Sequence, residues 1–263
     1  MKRLEAGSAQ QELLAADAML ELVREQSGLT FSGDRRKHAL EVARRAIRRV
    51  ETMAGALDAR VGSGREAPLL EALVAELTVG ETYFFREPEQ LRFIRDSVLP
   101  ALASRKGDGA VHVWSAGCAT GEEPYSIAIL LHELGLMPRA SIVGTDISRE
   151  RLAIAARGRY GAWSLRGVPS DVVRRHFDER DGRLTLKADR RRPVRFTPLN
   201  LAAAVCAPGV THGTMDLVLC RNVLIYFDRP TIERVARLLL GSLSEDGWLF
   251  LGASDPLLTE MLP

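Results

Sequence analysis

Residues 111–126, with the sequence VHVWSAGCATGEEPYS, constrain the fold more than any other stretch of this chain. The apolar residues at 111, 113 and 116 predict a buried strand. Gly117 and Gly121 then permit a sharp turn with close approach of the backbone, and Glu122 and Glu123 open a helix. A loop of this kind, at the carboxyl end of a strand, is where an open α/β sheet binds a nucleotide-like ligand.

The paired acids Glu122 and Glu123 indicate the charge of the ligand that this loop would bind. The spacing Gly117-x-x-x-Gly121 is not the dinucleotide fingerprint G-x-G-x-x-G. Two carboxylates where a pyrophosphate would lie argue against a phosphate and for a ligand that carries positive charge. The alternative is a plain strand–loop–helix turn whose acid pair is solvated, and these residues by themselves leave both interpretations open.

Composition restricts the class of protein. The chain has 263 residues, 46% hydrophobic and 27% charged, with a net charge of +2, so no overall signal for nucleic-acid or membrane binding exists. The sequence contains no run of roughly 18 apolar residues, which is the length that a membrane-spanning helix requires. Cys118, Cys206 and Cys220 are far apart and read as reduced thiols, and the five histidines lack metal-ligand spacing. We therefore expect a cytoplasmic protein with no metal, no nucleic-acid partner and no membrane insertion. We also expect a monomer, although none of these features addresses the oligomeric state.

Residues 1–105 are predicted to form a helical domain, with helices at about 8–26, 34–53, 68–77 and 88–103 and a loop at 54–66. Asp34 is expected to cap the second helix, which carries seven cations between Arg35 and Arg49. Such a run is usually a solvated helix face. The sharper interpretation is a docking surface for an acidic partner, because so many like charges repel one another.

Residues 106–263 are predicted to form an α/β domain, because strands and helices alternate after residue 110. Strands at 111–116 and 141–147 are followed by helices at 122–134 and 149–156, which indicates a parallel sheet with right-handed crossovers. An antiparallel hairpin at 178–198, turning at Asp181-Gly182, interrupts this alternation as a small inserted subdomain. Three further strands are predicted at 194–199, 215–220 and 248–252, with a helix at 229–243.

Polar residues follow several of these strands. Asp146 ends the second strand, where an acid accepts hydrogen bonds from ribose hydroxyls; the alternative is a helix N-cap that competes with Ser148. Both NAD and S-adenosylmethionine fit the ribose interpretation. The pairs Asn200-Leu201 and Arg221-Asn222 follow the next two strands, so they are expected to converge on one cleft with Glu123. Tyr226 lies four residues after Asn222, and the alternative for both is bonding to local backbone groups.

The segment TYFFR at 82–86 combines three aromatic residues with Arg86. Core packing against the sheet and a functional role near the cleft are both compatible with this pattern, and the sequence pattern does not separate them.

Several sequence blocks along the chain resemble those of a known family. The blocks TVGETYFFREPEQ, WSAGCATGEEPYSIA, GTDIS, CRNVLIYFD and GWLFLGAS, with Arg159-Tyr160, His176-Phe177 and Asn200-Leu201 between them, resemble CheR-type chemotaxis receptor methyltransferases. The resemblance runs from about residue 28 to 254. It implies a class I S-adenosylmethionine-dependent methyltransferase fold with an N-terminal helical domain and a small antiparallel insert. It implies a protein-glutamate O-methyltransferase that uses S-adenosylmethionine, without a metal, to esterify acidic sites on receptor helices.

The resemblance also implies residue roles. It assigns cofactor contacts to Thr82, Arg86, Glu123, Asp146, Asn200, Leu201, Arg221 and Asn222. Arg86 and Tyr226 would lie nearest the transferred methyl group and the substrate carboxylate. The basic second helix, with Arg44, Arg45, Arg48 and Arg49, looks like the family's docking surface for receptor helices.

Three departures from the family pattern stand out. Gly80 replaces a common Asn, the closing motif reads GASDP in place of GHSE, and the chain stops at Pro263, before the sequence that usually forms the last strand. The Gly80 departure bears on one cofactor contact. The changed GASDP motif and the missing last strand motivate an alternative function, an S-adenosylmethionine-binding sensory or scaffold module with impaired transfer. An NAD-dependent oxidoreductase is disfavoured because the dinucleotide fingerprint is absent.

Overall fold

The computed structural model describes residues 2–56, 66–78 and 81–260, and it describes side chains within 10–48, 72–78 and 81–259. Most of the predicted loop at 54–66, Gly80 and the side chain of Arg49 therefore lie outside the described residues. The chain divides into two compact units, Met1–Val79 with Tyr226–Thr231, and Gly80–Ile225 with Ile232–Pro263.

The boundary between the compact units lies earlier than the predicted domain boundary at residue 105. Leu99 and Leu102, on a helix predicted to belong to the helical domain, are buried in the same core as the strand residue Val111. A helix that buries its apolar face against a sheet is counted with that sheet. The division into a helical and a sheet domain stays a prediction.

The first unit is helical, with α1 (Lys2–Ser27), α2 (Gly33–Ala56) and α3 (Glu66–Leu77). On α2 the buried positions are Ala39, Val42, Ala43 and Ala46, whose spacing of three and four residues defines one face of a helix. Asp34 is not the cap that the sequence predicts. It lies in the first turn of α2, where a carboxylate is favoured by the helix dipole, and it pairs with Lys37 at 3.0 Å.

The second unit contains, in chain order, the remaining helices and all the named strands of the described residues. The helices are α4 (Pro88–Phe93), α5 (Leu99–Lys106), α6 (Glu122–Glu133), α7 (Arg149–Arg157), α8 (Ser170–His176), α9 (Ala188–Arg191) and, for most of its length, α10 (Arg229–Ser242). The strands are β1 (Val111–Ala116), β2 (Ala140–Asp146), β3 (Arg159–Tyr160), β4 (Phe177–Arg180), β5 (Arg183–Leu186), β6 (Val194–Pro198), β7 (Met215–Cys220) and β8 (Leu243–Leu251).

Five of these strands form a parallel sheet in the order β6-β2-β1-β7-β8. The α/β class and the parallel sheet that the sequence predicts are confirmed. β7 is buried along its whole length, as expected for a strand covered on both faces. The direction in which strands are added reverses between β1 and β7, and the crevice at such a switch point is the usual ligand site of an open α/β sheet.

The connection into β1 departs from a regular helix. The sequence predicts one helix over 88–103, whereas α4 and α5 are joined by a π-helical segment, Ile94–Val98. Pro100 has no N–H and its ring collides with the carbonyl four residues earlier. The wider turn accommodates this, and the Leu99 N–H donates to the Ile94 carbonyl five residues back.

The antiparallel insert covers a different range from the one that the sequence predicts. Its hairpin pairs β4 with β5 across Asp181 and Gly182, whose φ angles of 52° and 66° are the positive values that a tight hairpin turn requires. β3 completes this three-stranded sheet on the other side of β5. The predicted hairpin range of 178–198 is wrong beyond Leu186. β6 instead joins the parallel sheet beside β2, where Val194 pairs with Ile142 and is buried in the core.

Within the described residues, no helix combines the length and the apolar character needed to cross a lipid bilayer.

Candidate active site

The carboxyl ends of the parallel strands meet at one edge of the sheet. Ala116 of β1 pairs with Thr145 of β2, Asp146 pairs with Pro198 of β6, and Cys220 of β7 pairs with Leu251 of β8. The residues that follow these strands therefore share an edge. The predicted site residues on this edge are Glu123, Asp146, Asn200, Leu201, Arg221 and Asn222.

The glycine loop after β1 has the tight turn that its sequence predicts. The Gly117 and Cys118 N–H groups both donate to the Thr145 carbonyl, at 2.7 and 2.9 Å. Gly117 has a φ of 78°, and a Cβ there would lie 2.4 Å from Val223 Cγ2. Gly121 has a φ of 91° at the start of α6. A Cβ at Gly121 would lie 2.8 Å from the Ala155 Cβ. Glycine is therefore needed at both positions, for backbone conformation and for close packing.

Glu123 lies in the first turn of α6 and is held at both carboxylate oxygens. Ser115 Oγ donates to Oε1 at 2.7 Å, and Arg221 Nη1 donates to Oε2 at 3.1 Å. Burial raises the pKa of Glu123, while the charge of Arg221 and the bond from Ser115 act against that rise. Its side chain retains 14% of its exposure, so it can still contact a ligand.

Glu122, its neighbour, is more deeply buried, at 2% exposure. Thr120 Oγ1 donates to its Oε2 at 2.6 Å, and burial is the main cause that raises its pKa. The interpretation of Glu122 and Glu123 as a solvated acid pair is therefore wrong. The cause is tertiary, because α6 packs its first turn against the loops of the sheet edge.

Asp146 ends β2 with both oxygens bound to backbone. Its Oδ2 accepts from Ala119 N–H at 2.8 Å and its Oδ1 accepts from Ser148 N–H at 2.9 Å. The N-cap of α7 is Ser148, whose Oγ accepts from Arg151 N–H, so the alternative role of Asp146 as that cap is wrong. Burial raises the pKa of Asp146, and the two N–H groups oppose the rise. Each oxygen has a second lone pair for the hydroxyl groups of a ligand.

Arg221 joins the two sides of the site. Its guanidinium, 2% exposed, pairs with Glu123 and with Glu87 at 3.4 Å, and its Nη2 donates to the Arg86 carbonyl at 2.5 Å. The segment that it grips includes Phe85 and Glu87, which have positive φ values of 58° and 57°. Non-glycine residues rarely adopt this conformation, and such residues cluster at functional sites. The sequence predicts a cofactor contact for Arg221; the structure shows it holding Glu123 and this loop.

Ser115 and Glu87 are functional candidates that the sequence reasoning missed. Ser115 was detectable as the one hydroxyl within the apolar strand VHVWSA. Glu87 was not, because the features that distinguish it from an ordinary surface acid, its left-handed backbone and its contact with Arg221, are visible only in the structure.

Asn222 also has a left-handed φ, of 59°, and its Oδ1 is buried with no hydrogen-bond partner among the residues that the structure describes. A buried acceptor without a donor is costly unless a ligand supplies one. After β6, Asn200 Oδ1 accepts from Ala202 N–H at 3.0 Å, and Leu201 is buried. Thr82 is half-buried.

Arg86 lies on the loop before α4 and is half-buried. One of its five N–H donors, on Nη1, reaches the Glu81 carbonyl at 2.6 Å. The aromatic neighbours of Arg86 bear on the two interpretations of the segment 82–86, core packing and a functional role near the cleft. Phe84 is core, with its ring edge-to-face against Tyr160 at 4.9 Å, and Phe85 N–H donates to Ser126 Oγ of α6 at 2.9 Å. Core packing thus anchors the loop and leaves Arg86 at the sheet edge.

Tyr226 belongs to the first compact unit rather than the second. Its carbonyl accepts from the N–H and the Oγ1 of Thr30, at 2.8 and 3.1 Å. The guanidinium carbon of Arg35 lies 6.0 Å from the centroid of its ring. The catalytic role of Tyr226 stays a prediction.

The basic helix α2 is paired with acids from its neighbours. Arg48 and Arg44 pair with Glu12 of α1, Arg44 at 3.9 Å, and Arg45 pairs with Glu76 of α3 at 3.2 Å. These side chains stay between 32% and 56% exposed. The repulsion expected from the sequence is thus offset within the unit, and a docking role for α2 stays a prediction.

The site fits a cationic nucleoside ligand better than a phosphate. Four carboxylates lie along or beside this edge, from Glu87, Glu122, Glu123 and Asp146, and two of them share the guanidinium of Arg221. S-adenosylmethionine carries a sulfonium, an ammonium and ribose hydroxyls, which match buried carboxylates and the acceptor of Asn222. Within the described residues, no group of three or more His, Cys, Asp or Glu side chains is arranged to hold a metal ion.

Comparison with known proteins decides the family. Residues 80–261 match the family model described as "CheR methyltransferase, SAM binding domain". The chain belongs to the CheR methyltransferase family. Its sheet domain is a class I S-adenosylmethionine-dependent methyltransferase domain, and the protein is a S-adenosylmethionine-dependent methyltransferase, as the resemblance implies.

Curated CheR relatives align with most of the chain. A chemotaxis protein methyltransferase of Vibrio parahaemolyticus is 36% identical over 204 residues, which cover 75% of this chain and 72% of that protein. Chemotaxis protein methyltransferase 1 of Pseudomonas aeruginosa is 32% identical over 259 residues, 95% of this chain and 84% of that protein. The crystal structure of the DszA carbon methyltransferase superposes with a TM-score of 0.41 and 22% identity, over 62% of this chain and 35% of that one.

Proposed function

We propose that this CheR-family enzyme transfers a methyl group from S-adenosylmethionine to glutamate carboxylates of a chemotaxis-type receptor. The products are glutamate methyl esters and S-adenosylhomocysteine. The observation that carries the proposal is the buried, carboxylate-rich edge at the switch point of the sheet, with Glu123, Asp146 and Asn222 at neighbouring strand ends. Relatives named chemotaxis protein methyltransferases support the choice of receptor.

Glu123, Asp146 and Asn222 are the proposed polar contacts to the cofactor, with Thr82, Asn200 and Leu201 beside them. Glu123 is favoured over Glu122 because it is the more exposed of the two and lies on the side of Arg221. Asp146 suits ribose hydroxyls, since two N–H groups fix its carboxylate while lone pairs remain. Arg221 contributes mainly by holding Glu123 and the Arg86 carbonyl in place.

Arg86 is the proposed residue for the acceptor. A guanidinium binds a carboxylate with two parallel hydrogen bonds, which fixes the direction of the oxygen that attacks. Its main chain is gripped by Arg221, so the side chain starts from a defined backbone position. Tyr226 is a second candidate for bonding the acceptor carboxylate through its phenolic hydroxyl.

The chemistry needs orientation more than proton transfer. When bound, S-adenosylmethionine supplies a methyl group on a positively charged sulfur. The acceptor glutamate is already ionised at neutral pH, so no general base is required. With Arg86 holding the acceptor, a carboxylate oxygen would bond to that methyl group, and the electrons of the broken carbon–sulfur bond would stay on sulfur. Charge disappears in this step, and a partly desolvated cleft therefore favours it over water.

We also propose that the protein is cytoplasmic, which suits its free thiols: Cys118 and Cys220 are buried and Cys206 is exposed. The basic helix α2, with Arg44, Arg45, Arg48 and Arg49, is the proposed docking surface for acidic receptor helices.

The test is methyl transfer from S-adenosylmethionine labelled in its methyl group to receptor-containing membranes. We expect base-labile label on the receptor, lost when the acceptor glutamates are replaced by alanine. Binding of S-adenosylhomocysteine without any transfer would instead indicate a cofactor-binding module with impaired activity. Absence of cofactor binding at millimolar concentration would overturn the proposal as a whole.

A further inference from the structure

The turn that follows β8 contains a buried acid, Asp255, with 8% exposure. Its Oδ2 accepts from the Gly252 N–H at 2.9 Å and from the Asn222 N–H, and its Oδ1 accepts from the Ile225 N–H at 3.3 Å. Gly252 follows β8, whereas Asn222 and Ile225 follow β7. One carboxylate thus joins the two loops that leave neighbouring parallel strands at the edge of the sheet.

The loop that Asp255 holds has an uncommon backbone conformation at Asn222. Asn222 keeps a φ of 59° without being glycine, a conformation that persists when surrounding contacts impose it. A Cβ at Gly252 would lie 2.6 Å from the Asn222 nitrogen, so the two loops are in direct contact. Asp255 and Gly252 together impose the Asn222 conformation, one by hydrogen bonding and the other by permitting the close approach.

The interaction requires a carboxylate rather than any polar side chain. Backbone N–H groups converge on both oxygens, so every group on this side chain must accept. An amide would place an NH2 donor against N–H donors. Burial raises the pKa of Asp255 and the backbone hydrogen bonds oppose that rise, which is the balance of a desolvated anion held by peptide dipoles.

The same turn also reaches the Arg86 loop. Gln90 Nε2 donates to the Leu251 carbonyl at 2.8 Å, and Ala253 N–H donates to Glu87 Oε1 at 3.4 Å. Glu87 pairs in turn with Arg221. The residues around Asp255 therefore contact the Arg86 loop as well as the Arg221–Asn222 loop, although they do not lie at the ends of β1 or β2.

We propose that Asp255 is a positioning residue, which fixes the Arg221–Asn222 loop in the conformation that binds the cofactor. The inference deepens the proposed function and rests on the cofactor role of Asn222. The motif GASDP departs from the family pattern. The proposal assigns this motif a specific role, in which Asp255 supplies the carboxylate.

The test compares three variants by calorimetric titration with S-adenosylhomocysteine. Asp255→Asn removes an acceptor, and Asp255→Glu keeps the carboxylate on a longer side chain. Asp216→Asn is the matched control, because Asp216 is also buried and bonded to backbone, at the His112 N–H at 2.9 Å, but near the amino end of β7. Asp216 also pairs with Lys106 at 2.9 Å, so its loss should lower stability without touching the site.

We expect Asp255→Asn to weaken S-adenosylhomocysteine binding by about tenfold or more, since losing a hydrogen bond to a charged group changes an equilibrium constant by roughly that factor. Asp255→Glu should recover most of the loss, and Asp216→Asn should leave the Kd within about twofold while lowering Tm. The KM for receptor at saturating cofactor should change little in all three.

An unchanged Kd in a folded Asp255→Asn variant would overturn the proposal. If that variant does not fold, hydrogen exchange in the wild type decides, with slow exchange expected at the Asn222 and Ile225 amides before any ligand is added. Exchange there as fast as at an exposed loop would contradict the positioning role. A wild type that binds no S-adenosylhomocysteine would instead refute the proposed function, while the exchange result would still test Asp255.

Discussion

Charge is concentrated in two regions, the carboxyl edge of the parallel sheet and the helix α2. The two regions differ in how far their charged groups are buried and in what compensates them. At the sheet edge Glu122, Glu123 and Asp146 are largely buried, and burial raises the pKa of each. On α2 the cations are partly exposed and pair with Glu12 and Glu76 from neighbouring helices.

The difference separates a site from a surface. Exposed ion pairs contribute little free energy, so the pairs of α2 require no ligand to explain them. Buried carboxylates are costly unless hydrogen bonds and opposite charge compensate them, and the compensation at the sheet edge comes from backbone N–H groups, Ser115 and Arg221. A cationic cofactor would supply more of it.

The largest expected effect is at Arg86. Arg86→Ala should lower kcat for methyl transfer by at least about a hundredfold, because an acceptor that is no longer oriented loses the gain from positioning. S-adenosylhomocysteine titration and circular dichroism should show a folded protein. Arg92→Ala is the matched control, since Arg92 is exposed and pairs with Glu89, three residues earlier on α4, at 2.7 Å. Full activity of Arg86→Ala would sink its assignment to the acceptor.

The second effect concerns cofactor affinity. Asp146→Ala should weaken S-adenosylhomocysteine binding by about tenfold or more, through loss of charged acceptors for ribose and release of the Ala119 and Ser148 N–H groups. Ser148→Ala removes the cap of α7 but leaves the carboxylate, so it should lower Tm with a much smaller change in Kd. Equal losses of affinity in both variants would reduce Asp146 to a structural role.

The third effect is pH dependence. Because burial raises the pKa of Asp146, the native state retains this proton to a higher pH than the unfolded chain does. The contribution of this group to the free energy of unfolding is therefore present below the ordinary carboxyl pKa of about 4 and is lost as pH rises through the raised native pKa. Urea unfolding of the wild type and of Asp146→Asn across this window should show the wild type losing stability relative to the variant as pH rises. A difference independent of pH would contradict the prediction.

Cofactor binding should show the opposite trend, because a cationic ligand favours ionised acids. We expect S-adenosylmethionine to bind more tightly as pH rises across the same window, by titration at fixed ionic strength. A smaller slope in Glu123→Gln would identify Glu123 as one of the groups responsible.

The smallest effect concerns α2. Reversing Arg45 to Glu breaks its pair with Glu76, which should cost at most about 1 kcal/mol of unfolding free energy. The double variant Arg45→Glu with Glu76→Arg restores an ion pair of reversed polarity. If α2 docks an acidic receptor, the KM for receptor stays raised by a fewfold in both variants while the Kd for cofactor is unchanged. Recovery of KM in the double variant would show that Arg45 acts on stability alone.

Prediction from sequence worked best where the signal is local. The strand at 111–116, the turn at Asp181-Gly182 and the glycine loop follow from hydrophobic pattern and backbone preference, and the structure confirms them. The predicted hairpin at 178–198 overlaps the strand predicted at 194–199, and only the pairing of β6 with β2 assigns the shared residues to the parallel sheet.

The sequence predicted which residues belong to the candidate site better than it predicted how they contact one another. Strand ends at one edge follow from parallel topology, so Asp146 and Asn222 could be grouped in advance. The task of Asp255, the left-handed Glu87 and the pairing of Arg221 with Glu123 depend on contacts between residues far apart in the chain.

The opening stretch of residues 111–126 by itself determined a strand, a tight glycine turn and a helix that begins with two acids. Local backbone sterics and hydrophobic periodicity suffice for that. Only the tertiary structure decided that Glu122 is buried, that Glu123 is largely so, and that Ser115 and Arg221 hold Glu123. Burial and charge pairing are set by which segments pack together, and a sequence read along its length does not contain that information directly.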